Sequence, residues 1–175
     1  MATSIQFITS LDINTSQSTT DLDNIFSNAY DVYKIVLRNF KTVGTTDMNL
    51  NARLIDNNGS VITQSEYDYA VEQIKSNTGF SENKNQNYST IDRILFTDKI
   101  PESQGTVMYV YNPYNSSAYT FLTWQDTHHR GGSASGGFKG IAVHKNTEAI
   151  RGIRFYDVYT NSPYNSGKIL VYGVR

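Results

Sequence analysis

At 175 residues, with 15 Lys and Arg against 16 Asp and Glu, the chain is long enough for one domain with its own core, and its net charge is -1. That balance excludes the basic footprint of a nucleic-acid binder, and the absence of Cys excludes disulfides, thiolate metal sites and a Cys nucleophile. Hydrophobic residues make up 38% and aromatics 13%, the mean hydropathy is -0.45, and no apolar run approaches the roughly 20 residues of a membrane-spanning helix.

In chain order, Ile5 and Phe7 alternate with Gln6 as a short first strand within residues 1–11. The start, Met1-Ala2-Thr3-Ser4, has neither the basic region nor the apolar core of a secretory signal, so synthesis in a cytoplasm is expected. Residues 12–20 are polar and read as a loop. Asp12, Asn14, Ser16 and Asp23 stand at offsets that suggest a calcium loop, but Gln17 occupies the place of the turn Gly and no amphipathic helix flanks it. Residues 21–30, DLDNIFSNAY, offer either one helical turn or an entry segment packing through Leu22, Ile25, Phe26 and Ala29. Residues 31–40 form a strand, with Tyr33, Ile35 and Leu37 on one face and Lys34 and Arg38 on the other.

Residues 47–55 carry the cleanest alternation: Met48, Leu50, Ala52 and Leu54 face in, while Asn49, Asn51 and Arg53 face out. Asp56-Asn57-Asn58-Gly59 is a hairpin signal, and Val61 and Ile62 begin a return strand. Residues 65–74 fit a strand through Tyr67, Tyr69 and Val71, or a helical face through Ala70, Val71 and Ile74; the Tyr spacing favours the strand. Residues 75–89, rich in Asn, Ser and Lys, read as a long exposed loop that is functional or held by a partner. Strands follow at residues 91–97, 106–112 and 119–124. Residues 125–137, QDTHHRGGSASGG, read as a mobile or contact-dependent loop. Residues 138–145 are a strand. In the closing pair, Ile153 and Phe155 alternate with Gly152, Arg154 and Tyr156, and residues 168–174 form an apolar final strand. Such a strand belongs inside a sheet, because an open edge of that kind invites aggregation.

Regularly spaced strands and polar turns predict a single all-β domain over residues 1–175, an antiparallel, jelly-roll-like β-sandwich of eight or more strands. An immunoglobulin-type sandwich is the alternative, without its Cys-Trp-Cys signature.

Catalytic chemistry is not evident. His128 and His129 are adjacent, so on a strand they point to opposite faces, and His144 comes from another strand. No Ser stands in a G-x-S-x-G elbow, and the Gly131–Gly137 run lacks the Lys of a phosphate loop. Asp21 with Asp23, and Glu66 with Asp68, sit on what read as solvated faces. The expectation is therefore a non-enzyme with no cofactor and no metal. Tyr is enriched at interface hot spots, so the turn-borne Tyr114, Tyr159 and Tyr164, with His128, His129 and Arg130, are the candidate contacts to a protein or glycan partner.

Three segments carry a resemblance: IFSNAYDVYKIVL at residues 25–37, YNP at 111–113, and IRGIRF at 150–155 leading to GKILVYGV at 167–174. Together they resemble a β-sandwich module of tailed-bacteriophage virion proteins, found at tail-fibre ends and as small standalone structural proteins. The resemblance spans residues 5–174. It implies a jelly-roll-like fold, homotrimers, a virion location and other virion proteins as partners; the charge balance and the lack of a long apolar run add the expectation of no nucleic-acid and no membrane partner. A fibre shaft is absent from the sequence, which favours a capsid decoration (cement) protein or small tail component. The alternative is a tail-fibre-type receptor-binding tip that recognises host-surface glycan or protein.

Overall fold

Alternating side chains become strands wherever a second layer can cover the apolar face. The computed structural model describes residues 4–42, 47–97, 104–130, 134–158 and 164–175. Its strands are β1 (Ile5–Ile13), β2 (Thr19–Leu22), β3 (Val32–Thr42), β4 (Met48–Asp56), β5 (Tyr67–Lys75), β6 (Gly79–Tyr88), β7 (Ile91–Thr97), β8 (Gln104–Tyr111), β9 (Thr120–Arg130), β10 (Ala134–His144), β11 (Ile150–Asp157) and β12 (Tyr164–Val174). An eight-stranded sheet runs β1-β12-β3-β8-β9-β10-β5-β6, and a four-stranded sheet runs β2-β11-β4-β7. Every pairing is antiparallel. The chain passes repeatedly from one sheet to the other, giving the expected all-β, jelly-roll-like sandwich.

The core lies between the sheets. Tyr33, Ile35 and Leu37 of β3, Met108 and Val110 of β8 and Ile169 and Val171 of β12 meet Leu50, Ala52 and Leu54 of β4 and Ile153 and Phe155 of β11. The inward sets of β3, β4 and β11 are those the alternation predicts. The C-terminal strand is sealed between β1 and β3, as expected for an apolar terminal strand. Asn39 takes φ 57° where β3 slips register between Leu37 and Phe40, and this bulge returns Phe40 to the core.

Several expectations are corrected. Of the two readings of residues 21–30, the packed entry segment is the one found: Leu22, Ile25 and Phe26 are buried, Ala29 is exposed, and residues 19–22 form β2 on the edge of the small sheet. The polar span 12–20 loses its ends to β1 and β2. The two outer acids of the calcium-like spacing are in ion pairs, Asp12 with Lys168 and Asp23 with Arg151. The 56–59 turn closes as expected, but its return leg amounts to an isolated bridge from Ile55 to Val61. Residues 75–89 are largely strand β6, at the edge of the large sheet. An edge strand that is wet on both faces needs no apolar alternation, so its Asn, Ser and Lys imitate a loop. The Gly/Ser-rich span 125–137 is mostly the two arms of β9 and β10, with residues 131–133 outside the described residues. A Cβ on Gly137 would fall 2.5 Å from the Asp126 carbonyl oxygen, so this glycine marks close approach of neighbouring backbone rather than mobility. Asn49 and Asn51, expected on a wet face, are buried. Asn49 Nδ2 donates to Asp92 and Asn51 Oδ1 accepts from the Arg93 amide, so the first residues of β7 hold them.

Candidate functional site

The candidate contact residues do not converge. Tyr164 is fully buried in β12, with its hydroxyl 2.6 Å from Thr20 Oγ1, and burial pushes its phenol up to about 12. His128 is buried between the rings of Phe96 and Phe138, with Nδ1 2.8 Å from Asp126 Oδ2. Neither offers a contact surface: an inward position on a two-layered sheet is closed by the other sheet. Burial of Asp126 raises its carboxyl above the usual range, against the opposing pull of the His128 hydrogen bond. His129, on the opposite side of β9, is half-buried, with Nδ1 3.1 Å from Ser135 Oγ. Tyr114 is exposed in the β8–β9 connection, its hydroxyl 3.4 Å from Asn57 Oδ1. Tyr159 and the Arg130 side chain lie outside the described residues.

What the structure gathers is the outer face of the large sheet, the face turned away from the small one. Antiparallel register places Phe7, Tyr172, Lys34, Tyr109, Thr123, Ile141, Ala70 and Lys84 in one row across all eight strands. Beside it runs Ile5, Val174, Val32, Tyr111, Phe121, Val143 and Asp68. Ile141 is 60% exposed, Ile5 57%, Phe7 54% and Phe121 47%. Over β9, β10, β5 and β6 the face forms an open trough of about 860 Å³, floored by Phe121, Ile141 and Ala70 and rimmed by Asp68, Lys84, Asn85 and Gln86. Lys145 Nζ lies 2.7 Å from Asp68 Oδ1, and this hydrogen bond holds the Asp68 carboxyl below the usual range.

Sequence reasoning overlooked this face. Its signal was present: residues 121–122 and 141–143 are consecutive apolar positions, where a strand with one wet face should alternate. In chemical terms the face offers dispersion contacts and aromatic stacking, with a few charges at the rim. Its Asp68 carboxylate is already committed to Lys145. A separate polar grouping lies at one end of the sandwich, where the buried His144 meets Glu66 and Glu148.

No family model matches the chain, and no curated protein matches it. Among solved structures, the CBM2 module of the evolved Dit of Lactobacillus casei BL23 phage J-1 aligns over 94% of this chain and 68% of that chain, at 11% identity and a TM-score of 0.26. The VP2 subviral particle of infectious bursal disease virus aligns over 99% of this chain and 42% of that chain, at 13% identity and a TM-score of 0.18. The chain thus spans about two fifths of VP2's length. Both likenesses are too slight to carry a role to this chain.

Proposed function

We propose that this protein is a structural component of a bacteriophage virion, a capsid decoration protein or small tail part, and that it docks on other virion proteins through the outer face of its large sheet. The observation that carries the docking is the solvent-facing array of Phe121, Ile141, Ile5 and Phe7 on one continuous face. An apolar surface of this kind on a soluble protein marks an interaction site. The phage assignment rests on the sequence resemblance over residues 25–37, 111–113 and 150–174. The protein acts by adhesion, without bond-making chemistry, and assembles as a homotrimer. Its near-neutral net charge leaves little repulsion between copies.

The test is binding of the purified chain to particles that lack it. Wild type binds at micromolar concentration and saturates at a fixed number of copies per particle; no binding at that concentration sinks the proposal.

A second reading is favoured by the trough. Phe121 offers a ring for stacking on a sugar face, and Lys84, Asn85 and Gln86 supply polar groups at its rim. On that reading the protein is a receptor-binding tip. It then binds a defined glycan on an array, and the purified chain competes with phage for host cells.

A further inference from the structure

The end of the sandwich that carries the β10–β11 connection brings three potential ligand atoms together from distant parts of the chain. Glu66 stands just before β5, His144 closes β10 and Glu148 lies just before β11. His144 Nε2 is 3.1 Å from Glu66 Oε2 and 3.6 Å from Glu148 Oε1, and all three ligand atoms lie within 4.8 Å of one another. Zinc bound at about 2.0–2.2 Å to N and O ligands sets neighbouring ligand atoms roughly 3.4 Å apart in a tetrahedron. The two distances to the imidazole straddle that value, so small side-chain rotations suffice to close on an ion.

The histidine distinguishes this grouping from an ordinary acidic patch. Its side chain is 0% exposed, and its ring has no hydrogen-bond partner outside the cluster: Nδ1 has none, and Nε2 faces the two acids. A neutral imidazole has one proton and can satisfy only one of those carboxylates through Nε2. The acids also repel each other. Asn146 donates to Glu148, and neither acid has a Lys or Arg ion-pair partner among the described residues. A divalent cation would neutralise the pair of carboxylates. The Glu66 and Glu148 side chains are 33% and 30% exposed, which opens a route for the ion and a fourth position for water.

We propose that Glu66, His144 and Glu148 bind a divalent transition-metal ion of the zinc type, clamping the β5 and β10 ends of the large sheet to the entry of β11 in the small sheet. One nitrogen with two oxygen donors suits zinc better than magnesium, which favours oxygen donors and retained water. The metal-bound imidazole must carry its proton on Nδ1. In the structure Nδ1 has no hydrogen-bond acceptor to hold that proton. The imidazole thus lacks the carboxylate or carbonyl support usual for a metal-bound His, so a micromolar rather than nanomolar site is expected.

Calorimetric titration of zinc chloride into the metal-free full-length chain at neutral pH tests the proposal. One equivalent binds with a micromolar Kd, magnesium chloride gives no saturable heat, and zinc raises the thermal midpoint. Because both acids are partly exposed, Glu66→Gln and Glu148→Gln keep the fold, and each weakens zinc binding by roughly 10-fold or more. His129→Asn leaves it unchanged. The proposal is overturned by absence of saturable zinc binding to wild type, by affinity unaltered in both Gln variants, or by loss of binding in His129→Asn.

Discussion

Asp126 shows how one inward polar side chain can be committed entirely to structure. Its carboxylate accepts hydrogen bonds from the Phe138 amide and, at 3.4 Å, from the Phe96 amide, and it pairs with His128 at 2.8 Å. It thereby ties β9 to β10 in its own sheet and to β7 in the other. Replacing Asp126 with Ala strands the buried Phe138 amide and the His128 imidazole, and urea unfolding is expected to show a loss of about 3 kcal/mol. Asp68 sets the acid response at the surface. Its native carboxyl is held below the usual range, so its contribution to stability is complete above the unfolded value and is lost as pH falls through the depressed native one. Asp126 has the opposite sign, because burial raises it: its contribution is complete below the unfolded value and is lost as pH rises through the native one. Asp68→Asn is therefore expected to flatten the fall in thermal midpoint below about pH 4, measured against wild type across an acid series.

At the scale of the element, strands legible in the sequence are those with one face in the core and one in water. β3 and β11 are of this kind, and the inward positions of β11, Ile153 and Phe155, are fully buried. Ile153→Asp places a charge between the sheets without a partner, at a cost of several kcal/mol, comparable to the whole stability of a domain. The expected outcome is insoluble or non-cooperative protein; a soluble variant with a sharp melting transition would contradict this placement. β6 was illegible for the converse reason. As the edge of the large sheet it is held mainly by its backbone ladder to β5, and Asn and Lys side chains along it also discourage a further strand from joining. β9 and β10 were legible only in part, because Gly136 and Gly137 look like loop residues while serving close strand packing.

For the whole molecule, the unequal sheets matter most. Four strands cover one side of the sandwich, while the opposite face of the eight-stranded sheet exposes Ile5, Phe7, Phe121 and Ile141 among the described residues. The exposed positions on that face can change without disturbing the core. Ile141→Glu combined with Phe121→Ser is expected to alter stability by no more than about 0.5 kcal/mol per site and to abolish particle binding. Loss of binding together with unfolding would place those residues in the core instead. Light scattering tests the assembly: a trimer is expected, and a monomer at high concentration counts against it.

The all-β character, the inward residues of β3, β4 and β11 and the sealed final strand were determined by the sequence itself, because side-chain period is a local property of the chain. Tertiary structure alone decided that Tyr164 and His128 are interior, that Asn49 and Asn51 are covered, and that Ile5, Phe7, Phe121 and Ile141 stand exposed on the outer sheet face. It also brought Glu66 to His144, 78 residues away in sequence. Alternation says that two faces differ. Which face is buried, and which distant side chains share an end of the sandwich, depends on how the sheets stack and on the register of long-range pairings that no local pattern encodes.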